Sequence, residues 1–192
     1  MLLHCIRHGL TVANEEQRFN GSLDDPLTDP QRSTLREIPF EASGYDAIYC
    51  SPQSRAVETA QCLGIDRFTL EPRIAERHLG IFEGLTPREC SQRYPQDFAK
   101  FGALSGDYQI PGGESRAQNL ERVMSWVQEI ACRTCVLAVT HGGTIDFLYR
   151  LATGLPIHGG DEIFSGGNAT LSEFEISDSE VRLVRFDQPL AS

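Results

Sequence analysis

The chain has 192 residues, of which 40% are hydrophobic, enough for one domain with a buried core. Its formal net charge of −10 argues against nucleic acid as a partner, because such a body repels a polyanion, so any phosphate site has to be a local basic pocket. No apolar run approaches membrane-spanning length, and the apolar first ten residues carry His4, Arg7 and His8 without a small-residue cleavage site, so a cytoplasmic protein with no membrane partner is expected.

In chain order, Leu2, Leu3, His4, Cys5 and Ile6 read as a strand over 2–6 that runs into Arg7-His8-Gly9. A glycine- and proline-bearing loop fills 17–30. The run Ala47-Ile48-Tyr49-Cys50 predicts a strand over 47–50, followed by Ser51-Pro52-Gln53-Ser54-Arg55 and a helix over 54–63 that stops at Gly64. After a short strand over 67–70, Thr86-Pro87-Arg88-Glu89 reads as a capping box with proline at the first helical position. A second loop spans 102–114. Ser115-Arg116-Ala117-Gln118 then opens a helix to about Cys132, whose Leu120, Val123, Val127 and Ile130 recur at helical spacing as a face for the sheet.

Cys135-Val136-Leu137-Ala138-Val139 predicts a strand over 135–140 that ends in Thr140-His141-Gly142-Gly143, with a helix over 144–152 closed by Gly154 and Pro156. Strands over 169–176 and 180–186, joined by Ser177-Asp178-Ser179, read as a hairpin. Strands alternating with helices predict an α/β fold with a mostly parallel sheet covered on both faces, and the hairpin adds an antiparallel edge. There is no internal repeat and no low-complexity linker, so a single domain over 1–192 is expected.

Two strands therefore end in His-Gly, and a third leads to an arginine in the first turn of a helix. The carboxyl ends of strands in an open parallel sheet line one crevice, where residues distant in sequence meet. Arg7, His8, Arg55 and His141 converging there suit phosphoryl transfer through a histidine nucleophile, since helix starts and guanidinium groups both favour phosphate oxygens. Glycine beside each histidine (Gly9 and Gly142) removes a Cβ that would hinder a ligand. His158-Gly159-Gly160 repeats the tripeptide after a turn, and His158 is expected to be a loop histidine. Of the six cysteines, Cys132 and Cys135 form a lone C-x-x-C between a helix and a strand, the wrong context for a redox pair and too few ligands for zinc.

Arg7-His8-Gly9-Leu10-Thr11 with Asn14, Arg18 and Gly21 resembles the opening of the histidine phosphatase superfamily, which includes the phosphoglycerate mutases. Ser51-Pro52-Gln53-Ser54-Arg55-Ala56 with Thr59-Ala60 resembles its second motif, Glu76 to Gly84 its acid-bearing loop, and Thr140-His141-Gly142-Gly143 its last motif. The resemblance implies a three-layer α/β/α fold with no metal or organic cofactor. It implies that His8 is the nucleophile, that Arg7, Arg55 and His141 hold the phosphoryl oxygens with Asn14 and Gly142, and that Glu76 is the general acid. Arg18 and Gly21 would border the substrate, with a turn role for Gly21 equally open, and Glu83 would be structural. Leu10, Gln31 and Thr34-Leu35 depart from the usual pattern in a peripheral loop and helix.

The modest segment between Glu76 and His141, and a tail that ends soon after Phe186, favour a phosphatase over a mutase. Pro111-Gly112-Gly113-Glu114-Ser115 resembles the small-molecule phosphatase branch that includes alpha-ribazole phosphatase. The expected partner is a small phosphorylated metabolite such as alpha-ribazole 5′-phosphate, and a homo-oligomer stays open. A substrate cap is expected at about 82–110, where Phe82, Tyr94, Phe98, Phe101 and Tyr108 either line a pocket or pack the cap itself. A phosphoglycerate mutase and a non-catalytic phospho-ligand-binding domain are the alternatives.

Overall fold

In the computed structural model, which describes residues 1–103, 107–157, 166–177 and 180–190, the six expected strands form one sheet. They are β1 (Leu2–Arg7), β2 (Ala47–Cys50), β3 (Thr69–Leu70), β4 (Cys135–Thr140), β5 (Thr170–Ile176) and β6 (Val181–Pro189), in the order β3-β2-β4-β1-β5-β6. The first four are mutually parallel. β5 runs antiparallel to both β1 and β6, so the hairpin forms the antiparallel edge. Its predicted turn includes 178 and 179, which lie outside the described residues, as does His158.

Seven α-helices accompany the sheet among the described residues: α1 (Val12–Glu15), α2 (Asp29–Arg36), α3 (Ser54–Cys62), α4 (Pro87–Arg93), α5 (Pro95–Gly102), α6 (Arg116–Ile130) and α7 (Gly142–Thr153). Alternation along the central strands divides two cores. Leu3 and Cys5 of β1 and Val136 and Ala138 of β4 pack with Val123, Trp126 and Val127 of α6 and Ile145 and Leu148 of α7. Ile6, Leu137 and Val139 face the other way, onto Leu35 of α2 and Ala56 and Ala60 of α3. The result is three layers, α/β/α.

Three helices escape the sequence patterns, and one starts earlier than expected. α1 is one turn capped by a Thr11–Asn14 box, too short to show periodicity. α2 starts inside the expected loop and carries a single buried residue, Leu35. α5 follows α4 almost directly, with Pro95 at its start. α7 begins at Gly142, two residues before the predicted start, because His141 serves as its N-cap with extended backbone. The boxes at Thr86 and Ser115 form as predicted.

A third apolar cluster stands apart from the sheet. Leu79, Phe82, Cys90 and Ile110 are its buried centre, with Phe19, Tyr94, Phe98, Phe101 and Tyr108 packed around them. Phe82 meets Phe98 and Phe101 edge-on at 5.9 and 5.3 Å between ring centroids. The aromatics of the expected cap are therefore spent largely on each other.

Candidate active site

Sheet register places the site. Arg7 pairs with Thr140, and Cys50 with Val139, so β1, β2 and β4 end at nearly the same level. The ladder continues one residue beyond the strands: His8 N–H donates to the Thr140 carbonyl at 2.9 Å, and Ser51 N–H to that of Val139 at 3.0 Å. His8 and His141, 133 residues apart in sequence, thus stand side by side with ring centroids 5.1 Å apart.

Both imidazoles are buried, and each has one nitrogen engaged. His8 Nδ1 lies 2.8 Å from the Gly9 carbonyl. A carbonyl only accepts, so Nδ1 carries the proton and Nε2 of the neutral ring keeps its lone pair. His141 Nε2 lies 2.7 Å from Ser51 Oγ, while its buried Nδ1 has no hydrogen-bond partner among the described residues. Burial pushes both pKa values well below the ordinary histidine value, and the Arg55 and Arg7 charges act in the same direction; the Gly9 carbonyl opposes them at His8. Two neutral imidazoles at neutral pH follow.

Arg55, the second residue of α3, is wholly buried. Its Nη1 donates to the Leu23 carbonyl at 2.7 Å and its Nη2 to that of Gly21 at 2.8 Å. Arg7 donates to the Gly166 carbonyl. Burial lowers the pKa of both arginines, and the charge of Glu76 raises both, which places that carboxylate within electrostatic reach of the two guanidinium groups.

Glu76 is held by three short links. Its N–H donates to Gln53 Oε1 at 2.8 Å, and its carboxylate accepts from Arg77 N–H at 2.9 Å and from Gly143 N–H at 3.2 Å. A Cβ on Gly143 would lie 2.3 Å from Glu76 Oε1, so that glycine lets the acid rest on the first turn of α7. The glycine after His8 has a different reason from the one expected. A Cβ there would meet Gln31 Cγ at 2.8 Å and Leu35 at 3.1 Å, so Gly9 permits close packing of α2 rather than approach of a ligand. Gln31, one of the departures, also accepts the Leu10 N–H at 3.2 Å.

The remaining predicted positions divide. Asn14 sits at the rim: its Oδ1 accepts from Thr11 and from Asn168 Nδ2 at 3.1 Å, and Asn168 also donates to the His8 carbonyl. Gly142 is the buried first residue of α7. Gly21 has a positive φ of 54°, and a Cβ would collide with Glu83 at 2.3 Å, so it is a turn residue whose carbonyl anchors Arg55 and Gln53. Arg18 bonds Glu16, Glu89 and the Gly84 carbonyl, so its guanidinium fastens the N-terminal segment to α4. Glu83 accepts from the N–H groups of Ser22 and Leu79, tying two loops together.

Sequence reasoning gave no role to Ser51, Gln53 or Asn168. Ser51 and Gln53 stand within the second motif, and their polar character in a strand-to-helix turn was the available signal; nothing local marks Asn168.

Fold and site together define an α/β/α protein with two imidazoles and two arginines gathered at the carboxyl edge of a parallel sheet. The chain belongs to the histidine phosphatase superfamily (branch 1), whose family model matches residues 3–189. It is 31% identical over 159 residues to a metal-independent phosphoserine phosphatase of Arabidopsis thaliana, covering 77% of this chain and 67% of that one. It is 29% identical over 168 residues to the adenosylcobalamin/alpha-ribazole phosphatase of Escherichia coli K12, covering 81% of each. Among solved structures, Bacillus stearothermophilus YhfR superposes with a TM-score of 0.83 at 29% identity, covering 97% of this chain and 96% of that one. No helix among the described residues is long and apolar enough to cross a membrane.

Proposed function

We propose that this protein is a metal-independent phosphomonoesterase that hydrolyses a small phosphorylated metabolite through a phosphohistidine intermediate. The observation that carries the reading is the His8 ring, fixed as a neutral imidazole with a free Nε2 lone pair, 5.1 Å from His141 and within the field of two arginines.

In the first step His8 Nε2 bonds to phosphorus and the bond from phosphorus to the ester oxygen breaks. The Glu76 carboxyl gives its proton to the departing alkoxide. In the second step Glu76 takes a proton from water, the water oxygen bonds to phosphorus, the P–N bond breaks and inorganic phosphate leaves. Charge on the equatorial oxygens is met by Arg7, Arg55 and His141, donors fixed in place before the reaction begins. Asn14 contributes at the rim. The segment 82–110 forms the cap over the leaving group.

The modest segment between Glu76 and His141 favours water over a second phosphorylated acid as acceptor, and hence a phosphatase over a mutase. The names of the relatives supply two starting substrates, phosphoserine and alpha-ribazole 5′-phosphate. Phosphate release from p-nitrophenyl phosphate should persist in EDTA and leave an acid-labile phosphoryl label on His8. Activity that appears only with added Mg²⁺ or Zn²⁺, or turnover of 3-phosphoglycerate by isomerisation without phosphate release, rejects the proposal.

A further inference from the structure

The turn that leads into β5 carries an amide that the reaction above does not use. Residues 166–169 lie along the end of β1: Arg7 donates to the Gly166 carbonyl, and the Ala169 N–H is shared by the Arg7 and His8 carbonyls, 3.2 Å from each. Ala169 holds a φ of 54°, which a residue with a Cβ rarely adopts. Strain of that kind persists only where the surroundings enforce it, and here it accompanies an Asn168 side chain laid on the nucleophile's own backbone.

Asn168 Nδ2 lies 3.1 Å from the His8 carbonyl and 3.4 Å from that of Gly9. Carbonyls only accept, so the nitrogen of this amide, and not its oxygen, faces them. The Gly9 carbonyl is the same one that holds the proton on His8 Nδ1. Asn168 Nδ2 also donates to the side chain of Asn14 at 3.1 Å, so the Asn14 atom turned toward it is the oxygen.

Thr11 fixes that amide in the same sense. Its N–H and its hydroxyl donate to Asn14 Oδ1 at 3.3 and 3.2 Å, and the hydroxyl oxygen already accepts from the Asn14 N–H and from Asn20 Nδ2. An Asn14 amide flipped end for end would set its nitrogen against the N–H groups of Asn168 and Thr11, donor against donor. Its orientation is therefore settled, and its Nδ2 has no hydrogen-bond partner among the described residues.

A donor held in one direction beside the nucleophile suits an anion, whose oxygens only accept. We propose that Asn168 is a positioning residue: seated on the His8 and Gly9 carbonyls, it turns the Asn14 amide so that Asn14 Nδ2 donates to an oxygen of the transferring phosphoryl group. Asn168 itself makes no bond to substrate; it ties the donor to the backbone of the group that attacks. The inference rests on the phosphatase reading and adds to it a residue 160 positions from the nucleophile.

A double-mutant cycle tests it. Asn14→Ala and Asn168→Ala should each lower kcat/KM for p-nitrophenyl phosphate about tenfold, the scale of one hydrogen bond to a charged group. Asn168→Ala placed in the Asn14→Ala protein should cost less than about twofold more, because its route to the substrate is already gone. Losses that multiply, or unchanged kcat/KM in Asn168→Ala, overturn the proposal. Asn168→Leu keeps the volume without the donor and should give the same cycle. With 15N-labelled asparagine, the Asn14 side-chain NH2 signals should shift when inorganic phosphate is added, and Asn168→Leu should abolish that shift; a shift that survives the substitution rejects the role.

Equilibrium binding of inorganic phosphate reads the contact without turnover. If the wild type hydrolyses no phosphomonoester while phosphate affinity falls in each single variant and no further in the double, the phosphatase reading fails and the positioning role stands. If p-nitrophenyl phosphate is hydrolysed and the losses multiply, the reverse holds.

Discussion

The floor of the site and the proposed cap over it are built by different means. The floor is backbone register plus buried polar side chains, each with a named partner: His8 on Gly9, His141 on Ser51, Arg55 on Gly21 and Leu23. The cap is two short helices around stacked aromatics, fastened to the body by Arg18 and by Phe19, which meets Phe101 at 5.6 Å. A floor whose every donor is fixed can meet a transition state without reorganising, which suits one group common to all substrates. A cap held by apolar packing tolerates repacking, which suits a part that varies with the leaving group.

The floor should therefore break on single substitutions. His8→Ala is expected to abolish turnover and the acid-labile label together, by at least about a thousandfold in phosphate release. Arg55→Ala should cost about 10²–10³ in kcat/KM. Because it also empties a fully buried position and removes the donor to the Gly21 and Leu23 carbonyls, it should lower stability by about 2–4 kcal/mol in urea titration.

Glu76→Gln should slow release of poor leaving groups far more than p-nitrophenol, giving a steep dependence on leaving-group pKa. Gly143→Ala, which pushes a methyl into the carboxylate, should reproduce the trend in milder form, about tenfold. Equal slowing across leaving groups would remove Glu76 from the acid role.

Acid should weaken the floor before the cap. The folded pKa values of His8 and His141 lie below the unfolded value near 6.5, so the unfolded chain binds more protons in acid. Their contribution is complete above that value and is lost as pH falls below it, at up to about 1.4 kcal/mol per pH unit for each histidine. Melting temperature should drop between about pH 7 and pH 5, less steeply in His141→Gln. The smallest effect belongs to the fastening of the cap. Arg18 pairs with Glu16 and Glu89 near solvent, and Arg18→Ala should leave the melting temperature nearly unchanged while raising KM slightly.

How far the sequence could be read follows the same division. The strands and the helices at 54, 87 and 116 were legible because apolar period and capping boxes are local, and the two strand-end histidines were legible as one crevice because parallel strands share a carboxyl edge. α1, α2 and α5 were not, being short or carrying too few buried residues to set a period. Arg18 is expected to border the substrate by its place in a motif, and the structure adds that Glu89, 71 residues away, engages its guanidinium.

By itself the amino-acid order determined the layered α/β architecture and which imidazoles and guanidinium groups would gather at one edge, since both depend on periodicities and strand direction written locally. Tertiary packing alone decided the tautomer of His8, the reason for glycine at Gly9 and the seat of Glu76 on Gly143. Those depend on which distant atom lies within about 3 Å, and a distance of that kind exists only once the chain has closed on itself.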